Sequence, residues 1–223
     1  MNDNCYFRLE NIHQHWVNWD RYARATSTEG CPLANCVGFI DGTVHPTCRP
    51  KYNQKEFYNG HKRTHAIKFQ SLILPNGMIA HMYGPMAGNR HDAALLRESG
   101  ILNQLNLLSN GPNGNPLCIF GDQAYPNRPN LIVPFKGALL TRQQKNFNNA
   151  MKSFRICVEW GFRDVTDLFK FLDYKYGHKL FQNQVGKVYL VATLLKNCHT
   201  CLYGNQTSKY FNLSPPDLFD YLR

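Results

Sequence analysis

Three carboxylates stand out by where they fall along the chain. Asp41 closes the apolar run "VGFID" and Asp122 closes "LCIFGD". Glu159 lies within "FNNAMKSFRICVEWGF", a stretch of helical periodicity that follows Asp122 by 37 positions. Acids at the ends of buried strands are delivered to the rim of a sheet, where two of them side by side repel unless a cation lies between. Hard divalent ions such as Mg²⁺ take oxygen ligands and are held by a few carboxylates together with substrate phosphate oxygens. In two-metal phosphoryl transfer the ions sit ~4 Å apart, one on the attacking and one on the leaving oxygen. A lone Asp-Gly step such as Asp41-Gly42 is more often a turn cap than a ligand, so the metal reading depends on all three acids arriving together.

For Asp41 and Asp122 to meet, their apolar runs must be neighbouring strands. The pattern predicts a first strand over Cys36–Asp41. A hairpin follows, in which "AIKFQSLIL" and "GMIAHMYGP" flank the turn "PNG". Residues 90–108 read as one or two helices, 117–122 as a second buried strand ending in acid, and 131–135 as a fifth strand with Pro134 at its end. From Arg142 to Phe169 the residues Phe147, Met151, Phe154, Val158, Phe162 and Val165 recur at helical spacing, and "QVGKVYLVATLLKNCHTCL" predicts a last long helix. At the N-terminus, Phe7, Ile12, Trp16, Trp19 and Tyr22 predict an amphipathic helix over residues 5–25. The expected architecture is α/β, a mixed five-stranded sheet flanked by helices.

Composition narrows the partners. The 223 residues suffice for one domain with a full core, and Lys plus Arg exceed Asp plus Glu by ten, a balance suited to a polyanion such as DNA. The longest apolar stretch, "VYLVATLL", is far shorter than a membrane helix, so no membrane partner is expected. The start "MNDNCYFRLE" lacks the features of a signal peptide, which places the eight cysteines in a reducing, intracellular setting. Cys198 and Cys201 form a single CxxC; Cys31 and Cys36 are the one other pair that would complete a zinc site.

Other residues carry two readings. Asp92 in "GNRHD" is an accessory metal or substrate contact, or the N-terminal cap of the helix it precedes, which is the commoner use of such an Asp. His91 beside it reads as structural. Lys152, Arg155 and Arg163 stand at i−7, i−4 and i+4 from Glu159 and share its helix face, either as a surface salt-bridge ladder or as cations along a DNA backbone. Lys62 and Arg63 join them as candidate phosphate contacts, with Arg49, Lys51 and Lys136 behind them. Tyr125 and Pro126 shape the loop after Asp122.

The strings "GFIDGT", "GNRHDAALLRESGIL", "FGDQAYP", "LIVPFKG", "FNNAMKSFRICVEWGF" and "LLKNC", in that order, resemble the blocks of PIF/Harbinger-type DDE transposases and their domesticated relatives. The resemblance runs from about residue 37 to the tail "SPPDLFDYL". It implies an RNase H-like core over residues 36–223 that cleaves DNA and joins the freed 3′-hydroxyl to a target, using Mg²⁺ or Mn²⁺, two ions in all. The implied catalytic and metal-binding triad is Asp41, Asp122 and Glu159. Residues 1–35 then correspond to a helical extension, shorter than the family's DNA-recognition region. A Myb-like DNA-binding partner and a nuclear location are implied on the same ground. Arg163 stands where the family carries Gly, and close packing there is expected to be disturbed. The alternative functional expectation is a catalytically inactive, transposase-derived module that binds DNA or protein.

Overall fold

The computed structural model describes residues 18–106, 114 and 116–222. Helix α1 spans Trp19–Thr28 and leads into strand β1, Cys36–Pro46. A one-turn helix, α2 (Gln54–Phe57), and a two-residue strand, β2 (Tyr58–Asn59), precede the hairpin of β3 (Thr64–Ile73) and β4 (Ile79–Ala87). Two short helices follow, α3 (Asp92–Glu98) and α4 (Ile101–Leu105), and then strands β5 (Cys118–Gly121) and β6 (Leu131–Ile132). The remaining helices are α5 (Arg142–Leu168), α6 (Val185–Tyr203), α7 (Gln206–Tyr210) and α8 (Leu218–Leu222), with two 3₁₀ turns between α5 and α6.

The sheet has six strands, in the order β2-β3-β1-β5-β6, with β4 also paired to β3. Five were expected. The sixth, β2, is a polar two-residue strand that carries no alternation to read; it pairs with the start of β3 through Tyr58 and His65. β1 is antiparallel to β3 and parallel to β5, so it lies at the centre of the sheet with partners on both sides. Its first five residues are fully buried, which is why they read as a continuous apolar run. Of the predicted N-terminal helix, α1 supplies the part from Trp19; residues 5–17 lie outside the described residues.

Local chemistry explains the principal elements. The β3–β4 turn at Asn76-Gly77 needs a left-handed residue, and Gly77 adopts φ +83°. This turn is buried. The Lys196 ammonium and the Asn205 side chain both donate to the Gly77 carbonyl, at 2.7 and 2.9 Å. Helix α5 starts at a reciprocal capping box, in which Thr141 Oγ1 accepts from the Gln144 amide and the Gln144 side chain accepts from the Thr141 amide. Its inward face is Met151, Phe154, Cys157, Val158, Gly161 and Val165. Glycine costs a helix interior about 1 kcal/mol relative to alanine, but a Cβ at Gly161 would lie 1.9 Å from the Ile73 Cδ1. That glycine lets α5 close onto the sheet.

Side chains alternate across the sheet, so Phe39, Asp41, Thr43 and His45 share one face of β1. Helices α5 and α6 cover that face: Gly161 meets Ile73, the residue paired with Phe39, and Tyr189 stacks on Phe69, the residue paired with Thr43. The opposite face carries Lys68 and Gln70, which contact Asp92 of α3 and Ser99 just after it. Helices therefore flank the sheet on both sides, the three-layer arrangement the order of elements implied.

His45 is packed between the rings of His178, 4.8 Å away, and Tyr189, 4.9 Å away. Burial, then the neighbouring His178, pushes its pKa down to about 4. The unfolded chain takes up this proton near pH 6.5 and the folded chain only near 4, so stability falls as the pH drops through that window. His45→Phe is expected to lose this acid sensitivity. Its urea stability should exceed that of wild type by up to about 3 kcal/mol near pH 4, and equal curves for the two proteins across the window would refute the buried neutral imidazole.

Candidate functional site

Asp41 does not end its strand. β1 runs on to Pro46, still paired with β3, and Asp41 faces Ser71 in that ladder. What ends at this point is the parallel pairing with β5, whose last pair is Ile40 with Gly121. Asp41 and Asp122 are the next residues on the two strands, so they leave the ladder together. The expectation that the two acid-terminated runs are neighbours holds; the reason Asp41 sits at an edge is that β5 stops while β1 continues.

Asp41 is mostly buried. Its Oδ1 accepts from the Gly42 amide at 2.8 Å, and its Oδ2 accepts from the Arg155 guanidinium of α5. Asp122 is half-buried and its carboxylate accepts from the following amide, that of Gln123. Burial raises the Asp41 pKa to about 6 against the pull of Arg155 and the Gly42 amide, and the nearby charges of Asp122 and Asp92 push it the same way. The convergence of negative charge expected from the sequence thus appears in the electrostatics of Asp41.

Asp92 enters from the other face. It is the first residue of α3, not its cap; His91 holds the cap position, is exposed, and makes no capping bond. The Asp92 carboxylate takes the Lys68 ammonium at 2.5 Å, and Lys68 also donates to the Arg90 carbonyl at 3.0 Å. A Cβ at Gly42 would lie 2.6 Å from Asp92 Oδ1. Glycine after Asp41 is therefore what lets a second acid lie against the strand.

Glu159 is less engaged. Its side chain is 61% exposed and its partner is Arg155, at 3.7 Å. Arg155 stands between Asp41 and Glu159, a guanidinium joining two of the three predicted acids. Among the described residues, no group of three or more His, Cys, Asp or Glu side chains is placed to hold a metal ion. The oxygen-only donors and converging charge of Asp41 and Asp122, with Asp92 beside them, suit a hard divalent cation. Glu159 does not reach that point while Arg155 spans the gap. Of the cysteines considered for zinc, Cys31 is buried against Met151 and the half-buried Cys201 lies against Met78.

The predicted phosphate contacts divide. Arg155 is in the site, and Lys152 is exposed on the same helix. Arg163 is 78% exposed and pairs with Asp167 at 3.2 Å, so arginine at this position disturbs no packing; the close approach lies two residues earlier, at Gly161. Lys62 and Arg63 are exposed in the turn before β3, whose first residue is seven positions from Ser71, about 23 Å along the strand. Two residues escaped the sequence reading as parts of this site. Lys68 lies in an apolar strand where its charge has no visible partner in the sequence. Tyr125 is buried with a hydroxyl that lacks a hydrogen-bond partner among the described residues, and burial, then Asp92, Asp41 and Asp122, raise its pKa far above the usual tyrosine value.

Residues 40–197 match the family described as DDE superfamily endonuclease. The chain belongs to that family. Asp41, Asp92, Asp122 and Glu159 all lie inside the matched range. The DDE domain is also 28% identical over 128 residues to a probable transposase for insertion sequence element IS702 from Microchaete diplosiphon. That alignment covers 54% of this chain and 42% of the relative, so the chain spans less than half of that protein's length. No solved structure matches the DDE domain significantly.

The raised pKa of Asp41 has a consequence without divalent ions. The folded chain holds this proton more tightly than the unfolded one, so ionising Asp41 above pH 6 costs the fold up to about 3 kcal/mol. In EDTA, Asp41→Asn is expected to melt above wild type at pH 7 or higher, because the amide still accepts from Arg155. The advantage should vanish below about pH 4, where both forms are neutral. A variant less stable than wild type at neutral pH would overturn this account of the site.

Proposed function

We propose that the DDE domain is the catalytic core of a divalent-metal-dependent DNA endonuclease of the transposase type, with an RNase H-like fold. The observation that carries the proposal is the joint exit of Asp41 and Asp122 from the β1–β5 ladder, with Asp41 destabilised as an anion by burial and, further, by the nearby acids. The sheet order, with the hairpin on one side of β1 and two parallel strands on the other, supports the fold assignment. The six ordered strings noted in the sequence favour the PIF/Harbinger branch of the superfamily.

In this reading Asp41 and Asp122 would hold the ion, with Asp92 beside them, and Glu159 would join the set if Arg155 gave up its contact with Asp41. A bound Mg²⁺ or Mn²⁺ would supply Lewis acidity at the scissile phosphate. The protein's part is positional: two strands and two helices fix the carboxylates, and Arg155, released from Asp41, is long enough to meet a phosphate oxygen. Lys152, exposed on the same helix, extends the cationic track. The Arg155 cross-link also favours the second reading, a DNA-binding module without cleavage, because in it a guanidinium satisfies the acids.

The two readings separate in one experiment. Supercoiled plasmid is incubated with wild type and Asp122→Asn in Mg²⁺ or Mn²⁺, with Tm recorded for both. The catalytic reading expects metal-dependent nicking that drops at least about a hundredfold in the variant, with the fold intact. Wild type that binds plasmid but never nicks it in either metal would establish the binding module.

A further inference from the structure

A second surface lies at the far end of β1 from the acids. The loop after Pro46 and the loop between the 3₁₀ turns and α6 are stitched together there. The Cys48 amide donates to the His178 carbonyl at 3.0 Å, and the Cys48 thiol to the Tyr176 carbonyl at 3.2 Å. His178 lies within hydrogen-bond distance of the Pro46 carbonyl, at 3.2 Å, and Asn183 donates to the Gly177 carbonyl at 2.6 Å. These bonds hold a cleft of about 530 Å³ whose walls include Arg49, Lys51, Tyr52, Lys179 and Phe181 and no acid. Leu180 and Phe181 also wall a second cleft, which shares Asn183 and Val185 with a third, lined by Phe171 and Tyr174.

The aromatic rings of this surface are displayed to solvent. Tyr52, Tyr174 and Phe181 are all more than 60% exposed. The Lys51 ammonium sits 5.3 Å over the Tyr52 ring, and the Lys175 ammonium 5.1 Å over Tyr176. Phe181 has φ +67°, a left-handed backbone that costs a bulky residue about 1 kcal/mol or more. That conformation presents the ring outward, with its edge against Phe57 at 5.7 Å. Residues 47–63 carry five Lys or Arg against one acid, Glu56, and residues 170–187 carry four against one, Asp173, with Lys170 paired to Asp167 outside that stretch.

We infer that this chain of clefts binds a single-stranded segment of DNA, its bases stacked on Tyr52 and Phe181 and its phosphates met by Arg49, Lys51 and Lys179. Exposed rings alone would suit a protein partner, but rings interleaved with unneutralised cations suit unpaired nucleotides, whose faces stack while their backbone carries the negative charge. Duplex bases are stacked on each other and cannot offer their faces. Pro46 lies five positions beyond Asp41, about 17 Å along β1. A strand leaving the acids would cross that distance in about five nucleotides at stacked spacing. The inference takes its substrate class from the endonuclease reading, but its test does not depend on cleavage.

The test measures binding of fluorescein-labelled oligothymidylate and of a blunt duplex by anisotropy, in EDTA, where no cutting occurs. Expected for Tyr52→Ala/Phe181→Ala is oligothymidylate affinity weakened by tenfold or more, duplex affinity changed much less, and an unchanged melting curve. Lys51→Gln/Lys179→Gln should reduce the salt slope for the single strand by about 1.4. Tyr52→Ala alone, which leaves the strained Phe181 backbone untouched, should retain part of the loss. The measurement needs neither metal nor cleavage, so failure of the catalytic reading leaves this result standing. Equal loss on duplex and single strand, or no loss in either groove variant, would overturn the inference. A sedimenting dimer that the aromatic variant splits, with single-strand affinity intact, would overturn it in favour of a second copy of the chain.

Discussion

The arrangement turns on one electrostatic constraint: Asp41 is a mostly buried carboxylate on a central strand, at the point where its parallel neighbour ends. Buried anions persist only with a cation or strong donors at hand. Here the immediate donors are the Gly42 amide and Arg155, and burial still raises the carboxylate's pKa to about 6 against them, with the charges of Asp122 and Asp92 adding to the rise. The helix that carries Arg155 must therefore stay close to the sheet, and glycines set its distance. Gly161 brings α5 down onto Ile73, Gly42 admits Asp92 from the other face, and Gly186 brings α6 against Pro85, where a Cβ would lie 2.3 Å from the ring. Each exchanges helix or strand propensity for an approach that a methyl group would block.

The same constraint explains why the acids divide between two faces. Strand alternation points Asp41 toward α5 and leaves the adjacent position to the α3 side, where Gly42 makes room for Asp92. Lys68, on that side, neutralises Asp92 much as Arg155 neutralises Asp41. Asp41 and Asp92 thus each have their own cation, while Asp122 has none among the described ion pairs. Glu159, which is exposed, has no burial cost to offset, and its 3.7 Å contact with Arg155 is of the surface kind that contributes tenths of a kcal/mol.

Much of this was legible in the chain. Period and turn chemistry located the hairpin at Asn76-Gly77, the buried runs that lead to Asp41 and Asp122, and α5 to within a residue of its ends, since these elements follow local rules. What local rules could not supply was anything set by a distant partner. That β1 continues past Asp41 follows from its pairing with β3, and the polar residues Thr43 and His45 give no alternation to betray it. Arg155 read as a rung of a helical ladder or a cation along DNA, because sequence spacing relates it to Glu159 and says nothing of a residue 114 positions earlier. Asp92 read as a cap because its neighbours fit that pattern, whereas its contacts come from β3. The burial of the Gly77 turn beneath Lys196 was hidden for the same reason: a lysine in a helix is normally at the surface. Burial here draws its pKa down to about 8, with Asp164 opposing that shift.

β1 links the acids to the aromatic clefts. Its residues Phe39 and Ile40, just before Asp41, are locked between β3 and β5, so the carboxylate at Asp41 has little freedom to move. Its late residues, past the end of β5, are held on one side by β3 and from above by the stack of His178, His45 and Tyr189. His178 is also a hinge of the aromatic loop, with both ring nitrogens within hydrogen-bond distance of backbone carbonyls, those of Pro46 and Phe171. A ring in that position transmits the placement of the strand to the loops that form the clefts. The spacing between acids and aromatic surface is then fixed by a strand, which resists stretching, and not by a linker, which would not. A polymer whose own repeat is regular is the kind of ligand for which such a fixed spacing matters, which is why the proposal for the aromatic end takes the same class of ligand as the proposal for the acidic one.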